Sequence, residues 1–191
     1  MAGCCELWTI EGMQPPIMIQ KSQPNMSKAI EWIAQHAEQM SDDLETLCNI
    51  NSGSENMSGL QIVADWLTEF FSPLGVGVDR IELPTFYALN DSGIVVERST
   101  GPALRWDLGP SKGNDFGANA CTSPRLLMTI HYDTVYEASD PFQHCTRLEG
   151  DRMQGPGVID AKGGIVVMRY AALAAKQFLD LSQSRLTVVL T

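Results

Sequence analysis

The stretch Leu126-Leu-Met-Thr-Ile-His131-Tyr132-Asp133-Thr134-Val135 runs a strand-like apolar segment straight into an imidazole and a carboxylate. A strand that ends this way delivers both side chains at its carboxyl end, where open α/β sheets bind their ligands. Neutral imidazole is the commonest nitrogen ligand of metal ions, and a carboxylate two residues on can orient the ring through its other nitrogen. Taken alone, the His-x-Asp triplet also fits a surface histidine beside a loop aspartate.

Downstream lies Gly155-Pro-Gly-Val-Ile-Asp160-Ala-Lys-Gly-Gly164, a glycine-rich loop leading into an Ala- and Met-rich helix from about 164 to 178. The glycines let the backbone fold tightly beside a site and leave Asp160 at the start of that helix. A dinucleotide loop is discounted, because Asp160 stands where the third glycine of GxGxxG would be and would repel pyrophosphate. A structural turn with an N-capping Asp is the other reading of the loop in isolation. Together, His131 and Asp160 supply one nitrogen and one hard oxygen donor, a combination that suits a zinc-type site. Zinc takes about four ligands, so more donors are required than these two. The other histidines, His36 and His144, read as bystanders.

Upstream, Ile30, Ile33, Ala37, Met40, Leu44 and Leu47 recur at helical spacing, predicting one helix from about Met26 to Cys48. Leu60, Val63, Ala64, Leu67, Phe70 and Phe71 predict a second, stopped by Pro73 and Gly75. Strands are expected at 77–83, 93–96, 104–108, 126–130 and 186–190, with an exposed loop or hairpin turn at 111–123. Helices alternating with apolar strands predict an α/β fold with a largely parallel or mixed sheet flanked by helices. Residues 1–25, with Pro15, Pro16 and Pro24, read as a flexible extension ahead of a single domain at 26–191.

A 44% apolar, 19% charged composition is that of a globular chain, and a net charge of −10 without a Lys/Arg cluster argues against nucleic acid. No apolar run approaches the ~20 residues that span a bilayer, which argues against a membrane protein. Residues 1–20 lack the basic start of a signal peptide, and the five cysteines have no CxxC spacing, so neither a disulfide framework nor a Cys-based zinc site is expected. A cytoplasmic setting is the simplest compartment.

The segments His131-Tyr-Asp-Thr-Val-Tyr136, Pro141-Phe, Leu148-Glu-Gly-Asp151 and Gly155 to Gly164, with the loop Asn49-Ile-Asn-Ser-Gly-Ser-Glu-Asn56, resemble a family of zinc metallopeptidases. That family includes carboxypeptidase G, acetylornithine deacetylase, succinyl-diaminopimelate desuccinylase and aminoacylase. The similarity covers roughly residues 26–191 and is strongest toward carboxypeptidase G in the final third. It implies that His131 ligates one zinc, that Asp160 bridges two, that Asp133 is the catalytic-site carboxylate steadying His131, and that the Asp160–Ala161 peptide is cis. It implies hydrolysis of an amide in a small peptide or N-acyl amino acid, with a glutamate as general base, and a homodimer formed through a small inserted domain. In the family a Glu-Glu pair follows the strand matching 186–190, so the expectation is an N-terminal part of the catalytic domain, truncated before that pair and inactive alone. The rival from another class is a non-catalytic α/β interaction module. A serine hydrolase is set aside because no GxSxG elbow is present and Ser52-Gly-Ser54 has no nearby His in sequence.

Overall fold

Apolar residues on alternate positions of two strands build the floor of the fold. In β4 (Ala103–Leu108) and β8 (Arg185–Leu190) the side chains of Leu104, Trp106, Leu108, Leu186, Val188 and Leu190 are buried. The polar alternates face the other way. The computed structural model describes residues 24–90, 92–110, 124–182 and 184–191. Most of the extension expected at 1–25, and the loop expected at 111–123, lie outside the described residues.

Two further strands complete the main sheet, β1 (Val78–Ile81) and β5 (Arg125–Ile130), in the order β1-β4-β8-β5. The β1/β4 and β4/β8 pairs are antiparallel and β5/β8 is parallel, so the sheet is mixed. The parallel pair is joined through α4 (Lys162–Phe178), the helical crossover that parallel neighbours require. On the apolar face lie α4, α3 (Met57–Phe71) and the end of α2 (Ala37–Cys48), which enclose the core with Leu47, Val63, Leu67, Phe71, Ile165 and Ala172. Trp106 is 1% exposed and stacks on Phe71, ring centroids 4.7 Å apart. On the opposite face Asp107 draws together Arg105, Arg185 and Thr187. Desolvation works against its charge, but the bonds from Arg185 and Thr187 hold its carboxyl below the usual range.

The helix predicted from Met26 to Cys48 is two helices, α1 (Pro24–Gln35) and α2, both packed on α4. The break falls at His36, whose φ of −102° and ψ of 10° leave the helical path. Its Nδ1 lies 2.7 Å from the Trp32 carbonyl oxygen and its ring packs tilted on Trp32 with centroids 4.0 Å apart, contacts that an apolar period does not announce. The second predicted helix is α3, capped by the Asn56 side chain, which accepts a bond from Gly59 N, and closed by Gly75 at φ 67°.

Two small hairpins sit outside the main sheet. One pairs β2 (Phe86–Leu89) with β3 (Val95–Arg98), and its turn is held by the Asn90 side chain, which accepts from Ser92 N and Ile94 N. The other pairs β6 (Thr146–Leu148) with β7 (Arg152–Gln154) around Gly150 and Asp151, both at positive φ. Strands β2, β6 and β7 are absent from the sequence-based reading. Among the described residues no helix is long and apolar enough to cross a membrane.

Candidate functional site

Three segments converge at the carboxyl end of β5. The strand continues its alternation into the loop, so Tyr132 turns inward, 1% exposed, and donates its hydroxyl to Pro102 O at 2.7 Å. Its neighbours His131 and Asp133 therefore emerge together on the outer side. The loop after α2 closes over this segment through Thr134 N to Ser52 O (2.8 Å) and Ser54 N to Thr134 O (3.0 Å), while the Ser52 hydroxyl donates to Tyr132 O at 2.9 Å. Behind it, Gly157 takes φ 78°, a left-handed turn that glycine adopts without the clash a side chain would bring. That turn accepts Lys162 N at 2.8 Å, starting α4 with Asp160 just ahead of it. The Asp160–Ala161 peptide bond is cis.

His131 Nδ1 lies 2.9 Å from Asp133 Oδ1, and His131 Nε2 lies 3.0 Å from Asp160 Oδ1. The side chains of His131 and Asp160 are 44% and 82% exposed. Ser54 Oγ donates to the other oxygen of Asp133 at 2.5 Å. Burial works against an imidazolium here, but the bonds to Asp133 and Asp160 outweigh it and raise the His131 pKa above the ordinary histidine value. The cluster opens on a cavity of about 300 Å³, with Tyr136, Phe142, Val158 and Ile159 among its apolar walls. The hydroxyl oxygen of Thr134, also on that wall, is buried without a partner.

All three candidate residues thus meet at one place. His36 packs on Trp32 and Tyr170, and neither it nor His144 lines this cavity. Three contributors escaped the sequence reading: Ser54, Thr134 and Lys162. Ser54 was dismissed for want of a nearby histidine, yet it lines the same cavity as His131, although its hydroxyl bonds to Asp133 instead. Lys162 is fully buried, its ammonium donating to Ile50 O at 2.7 Å and Leu47 O at 3.2 Å, so it fastens the end of α2 beneath the glycine-rich loop. Burial lowers its pKa to about 8.

The donor chemistry suits a zinc-type ion in part. An imidazole nitrogen and a carboxylate oxygen point at one another, and the far ring nitrogen is held by a second carboxylate, as in metal-bound histidines generally. Among the described residues, no group of three or more His, Cys, Asp or Glu side chains is arranged to hold a metal ion, so the pair supplies only part of a ligand set.

No protein-family model matches the chain. Over 139 residues it is 31% identical to carboxypeptidase G2 of Pseudomonas sp. (strain RS-16), an alignment covering 71% of this chain and 27% of that enzyme. The chain is related to the zinc metallopeptidases. Solved structures of such peptidases share its fold. Human carnosine dipeptidase 1 superposes with a TM-score of 0.62 at 16% identity, covering 86% of this chain and 34% of that one. The Saccharomyces cerevisiae dipeptidase Dug1p does so with a TM-score of 0.63 at 16% identity and the same coverages. The chain therefore spans about a quarter of its metallopeptidase relative carboxypeptidase G2 and about a third of each dipeptidase.

Proposed function

We propose that this chain contributes to a two-zinc amide hydrolase of the glutamate carboxypeptidase type, with His131 ligating one ion and Asp160 bridging both. The reading is carried by the convergence of His131 Nε2 and Asp160 Oδ1 at 3.0 Å on the cavity, and the relationship to metallopeptidases supports it. Bound there, zinc supplies Lewis acidity toward a water and the scissile carbonyl. The chain's own residues do the rest of what can be assigned. Asp133 accepts the Nδ1 hydrogen of His131, so that Nε2, which faces Asp160, would be the ring nitrogen offered to an ion. Ser54 holds Asp133 in that orientation. Tyr136, Phe142 and Val158 form a partly buried apolar wall on one side of the cavity and, with the exposed Ile159, offer an apolar surface to a substrate. The family resemblance assigns the general base to a glutamate following the strand that matches β8, and the substrate to a small peptide or N-acyl amino acid with a free carboxylate, such as a C-terminal glutamate. A homodimeric, cytoplasmic enzyme completes the proposal.

The test is metal analysis of the intact protein. About two zinc ions per chain are expected, with hydrolysis of N-acyl glutamates abolished by chelation and zinc lost in His131→Ala and Asp160→Ala. Undiminished zinc in both variants would overturn the ligand assignment, and a protein that never takes up zinc would instead be a non-catalytic module on the same scaffold.

A further inference from the structure

Behind the glycine-rich loop, away from the His131 cluster, two thiols face one another. Cys48 ends α2 and is 1% exposed, while Cys145, half-buried, precedes β6. Both are free thiols. The backbone fixes them in place: Asn49, next to Cys48, accepts Cys145 N on its side-chain oxygen at 2.9 Å. Gly155 packs directly on Cys145, where a Cβ would lie 2.9 Å from both its Cα and its Sγ. The Lys162 ammonium, bonded to the carbonyls of Leu47 and Ile50, lies within electrostatic reach of both sulfurs.

We propose that Cys48 and Cys145 are a thiol–disulfide site that a low-molecular-weight disulfide of the glutathione class oxidises to an intrachain bridge. The more accessible Cys145 reacts first. Its thiolate attacks one sulfur of the small disulfide, forming a mixed disulfide and releasing one small thiolate. Cys48 then attacks the Cys145 sulfur and expels the second, its proton leaving with that thiolate, so two cysteine thiols and one small disulfide become one intrachain disulfide and two small thiols. Burial pushes the Cys48 thiol up to about 12 and raises Cys145 as well, which slows the exchange, while the charge of Lys162 favours the Cys48 thiolate that the second step needs. The bridge ties the end of α2 to the segment lying against Gly155, which lines the candidate cavity.

The intact protein is incubated with oxidised glutathione, alkylated after denaturation, and mapped by mass spectrometry without reduction. The expected product is a cross-linked Cys48/Cys145 peptide lighter by two hydrogens than its two thiol halves, with alkylation of Cys48 falling at least ~10-fold. In Cys145→Ser, whose circular dichroism confirms folding, Cys48 should remain fully alkylatable. A stable glutathione adduct on Cys145 with Cys48 free, both thiols unchanged, or Cys48 oxidised equally in Cys145→Ser would each overturn the proposal. None of these outcomes depends on metal content or hydrolase activity.

Discussion

Replacing Asp133 with Asn tests whether the histidine is held for a metal. The amide is nearly isosteric, so the change removes charge and leaves shape. The Asp133 carboxylate faces His131 Nδ1 at 2.9 Å and Ser54 Oγ at 2.5 Å. A hydrogen bond to a charged partner contributes ~1.5–3 kcal/mol and a neutral one ~0.5–1.5 kcal/mol, a difference of about 1 kcal/mol or slightly more for the His131 contact. The Asp133 side chain is 37% exposed, so solvent screening keeps the value at that lower end. About 1 kcal/mol is roughly fivefold in affinity. A second effect adds to it, because an amide can turn its NH2 toward Nδ1 and place the ring hydrogen on Nε2, which silences the donor facing Asp160. Zinc affinity of the intact protein, measured by competition with a chromogenic chelator, should therefore fall ~10-fold in Asp133→Asn. Ser54→Ala, which keeps the charge and loses only its anchor, should lose less. If Asp133→Asn binds zinc within about twofold of the parent while His131→Ala does not bind it, the orienting role is refuted.

Lys162 makes stability depend on alkaline pH. Its folded pKa of about 8 lies below the ~10.4 of an unfolded lysine, so the cost of burying the charge is fully present below pH 8 and is relieved as pH rises through that value. Between pH 7 and 9 urea stability should rise by about 1 kcal/mol, and the rise should vanish in Lys162→Met. Above pH 9 the unfolded chain ionises Cys48 while the folded chain does not, since burial holds that thiol near 12, and the gain levels off. In Gly157→Ala the new methyl must adopt φ 78° and would sit 2.9–3.0 Å from Lys162 and Thr134 side-chain carbons, so a loss of ~2–4 kcal/mol in thermal or urea unfolding is expected. Trp106→Ala empties the stack on Phe71 and should cost ~3–5 kcal/mol in the same assay, with an unchanged midpoint arguing that the sheet face is packed otherwise.

The main sheet was legible wherever a strand has one buried face. Residues 104–108 and 186–190 alternate, and their apolar members form the core. Strand β2 was missed because Phe86, Tyr87 and Leu89 are all exposed and pair only with β3, leaving no period for a sequence to display. The three-residue strands β6 and β7 are too short to carry one. The break at His36 was hidden for the opposite reason. The expected stripe does not continue across it: Ile30 and Ala37 are exposed, whereas Ala29 is buried and Trp32, Met40 and Leu44 pack on the core, so the two helices turn different faces inward on either side of His36.

At the site, what could be read was what the backbone period dictates. His131 and Asp133 flank Tyr132, and an inward tyrosine in an extended segment leaves its two neighbours no direction but outward. The Tyr132 hydroxyl meets Pro102 O beneath Gly101, where any Cβ would collide with the phenol, so the ring is seated by a glycine whose role concerns the site's geometry and not its chemistry. Ser54 could not be read in this way. It reaches Asp133 across 79 positions of sequence, through a loop whose backbone bonds to 132–134 exist only once β5 and α2 share a core. Residues that aim the pair follow from local alternation, whereas residues that hold it depend on tertiary contacts, which is why a strand-end His-x-Asp is visible in one sequence and its support is not.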